Sequence, residues 1–233
     1  MSSQVSSSPS FPPIGQLEHL FAASQTRLIG DRYAPTGIYK TPIESALINE
    51  NGIVTDIQAD KKVHGGIEKA LHQYAQTSYS VLREHFPDLA AQFTVGSMGE
   101  NISVAAMTEH NVNVGDVWQF GAEVVVQVSQ VRSPCWKIND KFGNDNIVKI
   151  IDQHSIPGWY YRVLQGGTLK LGDTLSLLER PNPISLRQFL TLYAEHRPDL
   201  FQLQALADCV GLTPKWREKI VKRIGYLSAL KDI

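Results

Sequence analysis

Cys135 sits in the phrase RSPCWK (132–137), directly behind Pro134 and between Arg132 and Lys137. A cysteine that only fills a core gains nothing from cationic neighbours. A thiolate that ligates a metal or attacks a carbon does gain, because positive charge favours its ionised form. The other cysteine, Cys209, falls among Leu206, Ala207 and Val210 and reads as core. Four more phrases carry groups with chemistry. In KKVHGGIEKA (61–70), His64 precedes Gly65 and Gly66 where a helix should open. Paired glycines let backbone N–H groups approach an anion closely, although the spacing is not that of a nucleotide-binding P-loop. GSMGEN (96–101) brings Glu100 and Asn101 into a glycine-punctuated turn, and GIYKTP (37–42) ends an early strand with Lys40. GWYYRVLQGG (158–167) sets Arg162 among bulky apolar neighbours, where a guanidinium calls for an anionic partner. On residues alone, Cys135 is either a soft metal ligand or a nucleophile with His64 as its base.

The elements that must position these groups fall into two styles. Residues 16–182 read as short strands between glycine-rich turns, and AEVVVQVSQV (122–131) is apolar enough for a strand buried on both faces, with Cys135 at its end. VNVGDVWQF and LKLGDTLSL each place a Gly-Asp turn between alternating flanks. One helix is expected from Glu68 to His85, on the spacing of Leu71, Tyr74, Ala75, Val81 and Leu82, and a shorter one around Ile147–Gln153. Beyond PNP (181–183), Ser185 and Gln188 form a capping box with Ile184 and Phe189 as its staple. Leu203, Leu206, Ala207 and Val210 line a second helix that stops at Gly211, and Thr213 with Pro214 opens a third. Fifty residues of helix cannot build a core alone, so this tail should dock on the β domain. The expected division is a disordered lead-in (1–15), a β domain (16–182) and a three-helix extension (183–233).

Composition excludes several classes. With 22 basic and 23 acidic residues the net charge is −1, so any anion site must be local rather than a property of the whole surface. Two cysteines 74 residues apart, with no CxxC, are neither a disulfide framework nor a zinc knuckle. No apolar run reaches the roughly 20 residues of a membrane helix, and MSSQVSSSPSFPP has no signal-peptide pattern. The expectation is a cytoplasmic protein in a reducing compartment. Flavin, dinucleotide and iron–sulfur fingerprints are missing from the sequence. The tail loosely follows a helix-turn-helix, but Arg217 falls where that motif buries an apolar side chain, so nucleic acid is not the expected partner.

Taken together, KTP, VHGG-x-x-KA, GENI, RSPCWK and GWYYRVL, in this order, resemble the MOSC domain proteins and, within them, the YiiM group. The resemblance spans about residues 30–180, and the helical tail resembles the extension found in that group. It implies a mainly β fold, a compact barrel with flanking helices. It implies a molybdenum cofactor, a pterin whose dithiolene holds the metal, with Cys135 as a further ligand. Lys40, Arg132 and Arg162 are then candidates for the pterin phosphate, with His64, Gly65, Gly66, Asn101 and Ser133 as further cofactor contacts; Asp56, Glu68 and Glu100 are the acidic candidates for moving protons, and Asp56 is the one chosen. The implied reaction is reduction of N-hydroxylated compounds, including purine and pyrimidine analogues, fed by an external donor such as a flavoprotein reductase or a haem protein. The tail would dock that donor or a second copy of the chain in a homodimer. One departure from the family phrase is Val131, where proline is common; it leaves room for one more strand residue. The competing expectations are a metal-independent cysteine hydrolase or transferase and a carrier of the cofactor.

Overall fold

The structure is a computed structural model that describes residues 11–59 and 65–231, the last of these by its backbone. Strands β1 (Gly15–Gln16), β2 (His19–Ala22), β3 (Arg27–Ile29), β4 (Ala34–Thr36), β5 (Thr41–Pro42), β6 (Ser45–Asn49) and β7 (Gly52–Ile53) come first. They are followed by β8 (Leu71–Gln73), β9 (Ile102–Ser103), β10 (Val117–Phe120), β11 (Val124–Val131), β12 (Trp159–Gln165), β13 (Gly167–Lys170) and β14 (Thr174–Glu179). The helices are α1 (Gln76–His85), α2 (Trp136–Phe142), α3 (Ile147–His154), α4 (Leu186–Ala194), α5 (Leu200–Ala207) and α6 (Pro214–Lys231). Nine strands form one sheet in the order β1-β14-β10-β11-β12-β8-β9-β2-β5, and β13-β6-β7 form a second. The large sheet curls into a half-barrel with helices beside it, in keeping with the mainly β barrel with flanking helices that the family resemblance implies.

β11 runs through the middle of this sheet, antiparallel to β10 and β12. Its Val124, Val126 and Val128 point into the curl and pack with Trp118, Phe120, Trp159 and Tyr161, all at 1% exposure or less. Register shifts after Val125 and Val128 break the β11–β12 ladder, and such bulges bend a strand and sharpen its twist. Val131 is the last residue of β11, buried and paired with Trp159, so the valine does carry the strand one residue further.

The helix expected from Glu68 to His85 is the main correction. Only Gln76–His85 is α-helical; Ile67–Lys69 is a single 3-10 turn, and Leu71–Gln73 is a strand. β8 lies between β12 and β9 and is buried along its whole length. A strand buried on both faces loses its two-residue alternation, and its apolar positions then fit a helical period by accident. α3 and the helices after residue 183 stand where the periodicity puts them, whereas α2 has no counterpart among the expected elements. Val210 is 55% exposed rather than on the buried face of α5.

The capping box at Ser185 is formed in both directions. Leu186, Phe189, Leu203, Leu206, Trp216 and Ile220 belong to the same core as the strand residues above. Asn182 ties the connection together, donating to the carbonyls of Val114 (2.7 Å) and Val210 (2.9 Å). Cys209 is 5% exposed, and burial pushes its thiol up to about 11, which keeps it unreactive at neutral pH. Of the residues expected as a disordered lead-in, 1–10 lie outside the described residues, while Gly15 pairs with Leu175. Among the described residues no helix is long and apolar enough to cross a membrane.

Glu109 gives the fold a pH dependence of its own. It is 2% exposed and accepts from Gly158 N at 3.0 Å, and burial raises its carboxyl to about 7. The unfolded chain loses this proton near the ordinary value of 4.5, whereas the folded chain keeps it to about 7. Its contribution to stability is therefore full below 4.5 and is lost as pH rises through 7. Glu109→Gln keeps an acceptor for Gly158. It is expected to leave stability little changed at pH 5 and to raise it by on the order of 2–3 kcal/mol at pH 8, as read by urea unfolding at both values.

Candidate active site

Beyond β11 the chain keeps one more sheet-like contact, Arg132 N to Gly158 O at 2.9 Å. It then turns through Ser133 and Pro134 and places Cys135 at the N-cap position of α2 in extended geometry. Cys135 is partly exposed and lines a cleft with Lys40, Asp56, Asn101, Arg132 and Tyr160. It thus lies past the strand, at the mouth of an unanticipated helix. Lys137, on that helix, reaches back to Pro35 O at 2.7 Å and closes one side of the cleft.

The floor follows from strand alternation. β8 and β12 pair Leu71 with Tyr161 and Gln73 with Trp159, facing the core, and His72 with Tyr160, which therefore face the opposite side. The His72 and Tyr160 rings lie 5.1 Å apart, and the Arg132 guanidinium is 3.5 Å from His72 Nε2 and 3.0 Å from Met98 O. Gly158 allows this closeness, since at φ +79° a Cβ there would stand 2.4 Å from Gln73 O and 3.1 Å from His72 Nε2. Burial raises the Tyr160 hydroxyl above its ordinary value, with Arg132 pulling the other way, so this phenol stays protonated through neutral pH.

Opposite Cys135 lies a buried network. Asp56 accepts from Lys40 Nζ, from Ala23 N at 2.6 Å and from Asn101 Nδ2 at 2.9 Å. The Lys40 and Asp56 side chains are 7% and 3% exposed. Burial lowers the Lys40 amine, and Asp56 opposes that effect. Asn101 carries the network onward, accepting from His72 N at 3.1 Å and donating to Phe21 O at 3.2 Å. A carboxylate gripped by three donors is a strut for the lysine, and it is poorly placed to hand a proton to a substrate.

Behind this wall Glu100 is fully buried and accepts from Tyr79 OH (2.5 Å) and Gly96 N (2.6 Å); burial raises its carboxyl. Beyond Lys40, Lys141 packs on the Tyr39 ring at 4.8 Å and donates to Ser97 O at 2.5 Å. Burial brings its amine down to about 8, which Glu100 opposes and Arg132 and Arg27 reinforce.

Of the residues expected at the site, the structure brings Lys40, Asp56, Asn101, Arg132 and Cys135 into the lining of one cleft. Gly65, Gly66 and Ser133 are not among the described residues that line it, although Lys69, three residues past Gly66, is. His64 lies outside the described residues. Arg162 is the correction. It shares a face of β12 with Tyr160 but is engaged by Glu68 and by Gln127 Oε1 at 2.8 Å, away from the cleft. With side chains 20% and 35% exposed, that ion pair is screened by water. Arg162→Ala is therefore expected to change stability by no more than about 1 kcal/mol, as measured by thermal unfolding. His72 and Tyr160 were not anticipated. The signal was available in LHQ and WYYR, two apolar strands that each turn one polar residue to the same side.

The MOSC domain family model matches residues 60–176. Protein YiiM of Escherichia coli is 35% identical over 191 residues, 81% of this chain and 84% of that protein. A protein named Reductase from Gibberella moniliformis is 34% identical over 178 residues, which is 76% of this chain but only 31% of that longer protein. The crystal structure of YiiM from Geobacillus stearothermophilus superimposes with a TM-score of 0.74 at 29% identity, covering 90% of this chain and 98% of that one. With the family model matching residues 60–176 and the Escherichia coli YiiM protein 35% identical over 81% of the chain, this protein belongs to the MOSC domain family.

Proposed function

We propose that this protein is a molybdenum-cofactor-dependent reductase of N-hydroxylated compounds. The observation that carries the reading is Cys135, a partly exposed thiol in a cleft whose described lining holds Lys40, Lys69, Arg132 and Lys137 and, among the described residues, one carboxylate, Asp56, which Lys40 engages. That donor set fits an anionic metal–dithiolene group bearing a phosphate: one soft ligand for the metal and several cations for the anion. Among the described residues no three His, Cys, Asp or Glu side chains converge. The protein's share of the coordination would then be Cys135, with the pterin supplying the rest. The relative named Reductase supports the reaction class.

When bound, the cofactor supplies two-electron oxygen-atom chemistry, so that R–NHOH plus two electrons and two protons gives R–NH2 and water. The chain's own residues do the remaining work. Cys135 would hold the metal, and Arg132 and Lys40 would hold the anionic group. Tyr160, kept protonated by burial, offers its O–H to the substrate's polar end. Electrons come from a second protein, a flavoprotein or a haem protein. Neither Cys135 nor Cys209 forms a disulfide, which suits a reducing, cytoplasmic setting.

Cofactor-loaded protein is expected to reduce an N-hydroxylated base with reduced viologen and to be inactive with NADPH until a flavoprotein is added. Loaded protein that binds the cofactor but fails with viologen would leave a carrier. Ester or amide turnover by metal-free protein would favour the cysteine hydrolase instead.

A further inference from the structure

His85 and His154 meet on the surface with their Nε2 atoms 3.2 Å apart and their rings at 70°. Each is the last residue of a helix, His85 of α1 and His154 of α3. Two helix C-termini therefore converge at one point, and their carbonyls and negative dipole ends favour a cation there. His85 Nδ1 lies 2.9 Å from Val81 O of its own helix. That nitrogen must carry the ring proton, which leaves a lone pair on Nε2 facing His154. Metal-ligating histidines are oriented in this way, one ring N–H on a carbonyl and the other nitrogen on the metal. A tetrahedral ion with metal–nitrogen bonds of about 2.0–2.1 Å holds two ligand nitrogens about 3.3 Å apart, close to the observed separation. The backbone behind the pair is fixed, because Tyr79 and Leu82 of α1 share a buried apolar layer with Ile147 and Ile151 of α3.

We propose that His85 and His154 form a two-imidazole site for a late first-row divalent cation such as Zn²⁺, which clamps α1 to α3. Imidazole nitrogen suits Zn, Ni and Cu. No third His, Cys, Asp or Glu joins the pair among the described residues, so water completes the coordination. Neither histidine lines the Cys135 cleft, and the site stands or falls independently of the reductase reading. In the competing arrangement His154 Nε2–H simply donates to His85 Nε2 and no metal is taken.

The test is calorimetric titration of the full chain with ZnCl₂, comparing wild type, His85→Ala, His154→Ala and Cys135→Ala, with the thermal midpoint of each followed with and without zinc. The expected result is one zinc site that survives in Cys135→Ala and weakens by more than about tenfold in either histidine variant. Zinc should raise the midpoint of wild type and of Cys135→Ala, and of neither histidine variant. His85→Gln, which keeps volume and surface polarity, should behave as His85→Ala does. Wild type that takes up no zinc, or histidine variants that bind it as tightly as wild type, would overturn the proposal and leave a hydrogen-bonded pair.

Discussion

Cys135→Ala is expected to reduce viologen-driven reduction of an N-hydroxylated base to below about 1% of wild type, with the thermal midpoint almost unmoved. The reason for the large loss is that Cys135 is the thiol lining the cleft, and among the described residues it is the one that would bond the metal directly. Removing a group that merely orients a ligand already costs about 10–100-fold in metal affinity or activity, so removing the ligand itself should cost more. The reason for the small structural effect is its partial exposure at a helix N-cap where its side chain makes no capping bond; such substitutions stay within about 0.5 kcal/mol. Cys209→Ala should show the opposite pattern. That thiol is buried among the helices of the extension, so the variant keeps its activity and loses roughly 1 kcal/mol of stability to the vacated volume. Rates and melting curves of the two variants, measured side by side, separate a ligand from a core residue.

Asp56→Asn is expected to be the most destabilising single substitution at the cleft. It removes the charge that compensates Lys40 in a pair almost fully out of water, and uncompensated charges of this kind cost about 3–5 kcal/mol. At about 2–4 °C per kcal/mol for a chain of this size, the midpoint should fall by roughly 6–20 °C. The same change loosens Ala23 N and Asn101, and through Asn101 the backbone of His72. Lys40→Met combined with Asp56→Asn should recover most of the lost stability, because no buried charge is left without a partner. Recovery of stability without recovery of cofactor binding would assign Lys40 to the anion. Equal melting points for Asp56→Asn and wild type would mean the pair is solvated in solution.

Local chemistry made the extension legible. Ser185 with Gln188, and Thr213 before Pro214, are start signals that act within one turn of helix, and both are formed. β11 was legible because VVVQVSQV has no helical period, and Cys135 because its cationic flanks are written beside it. β8 was not legible, since Leu71–Gln73 is a strand only by virtue of β12 and β9 on either side. Arg162 was read correctly as needing an anion, but which anion depended on Glu68, a residue 94 positions away whose carboxylate the fold brings to it. Tyr160 faces the cleft only because Trp159 and Tyr161 face the core, and that choice of side is made by the sheet's curl rather than by any run of residues.

The central claim is that this cleft binds the molybdenum cofactor through Cys135. Metal and pterin analysis of protein purified from hosts with and without molybdenum-cofactor biosynthesis tests it most directly. Wild type from the competent host should carry molybdenum and pterin together, wild type from the deficient host neither, and Cys135→Ala from the competent host should have lost the metal. Wild type without molybdenum from a competent host, or Cys135→Ala that retains it in full, would contradict the account.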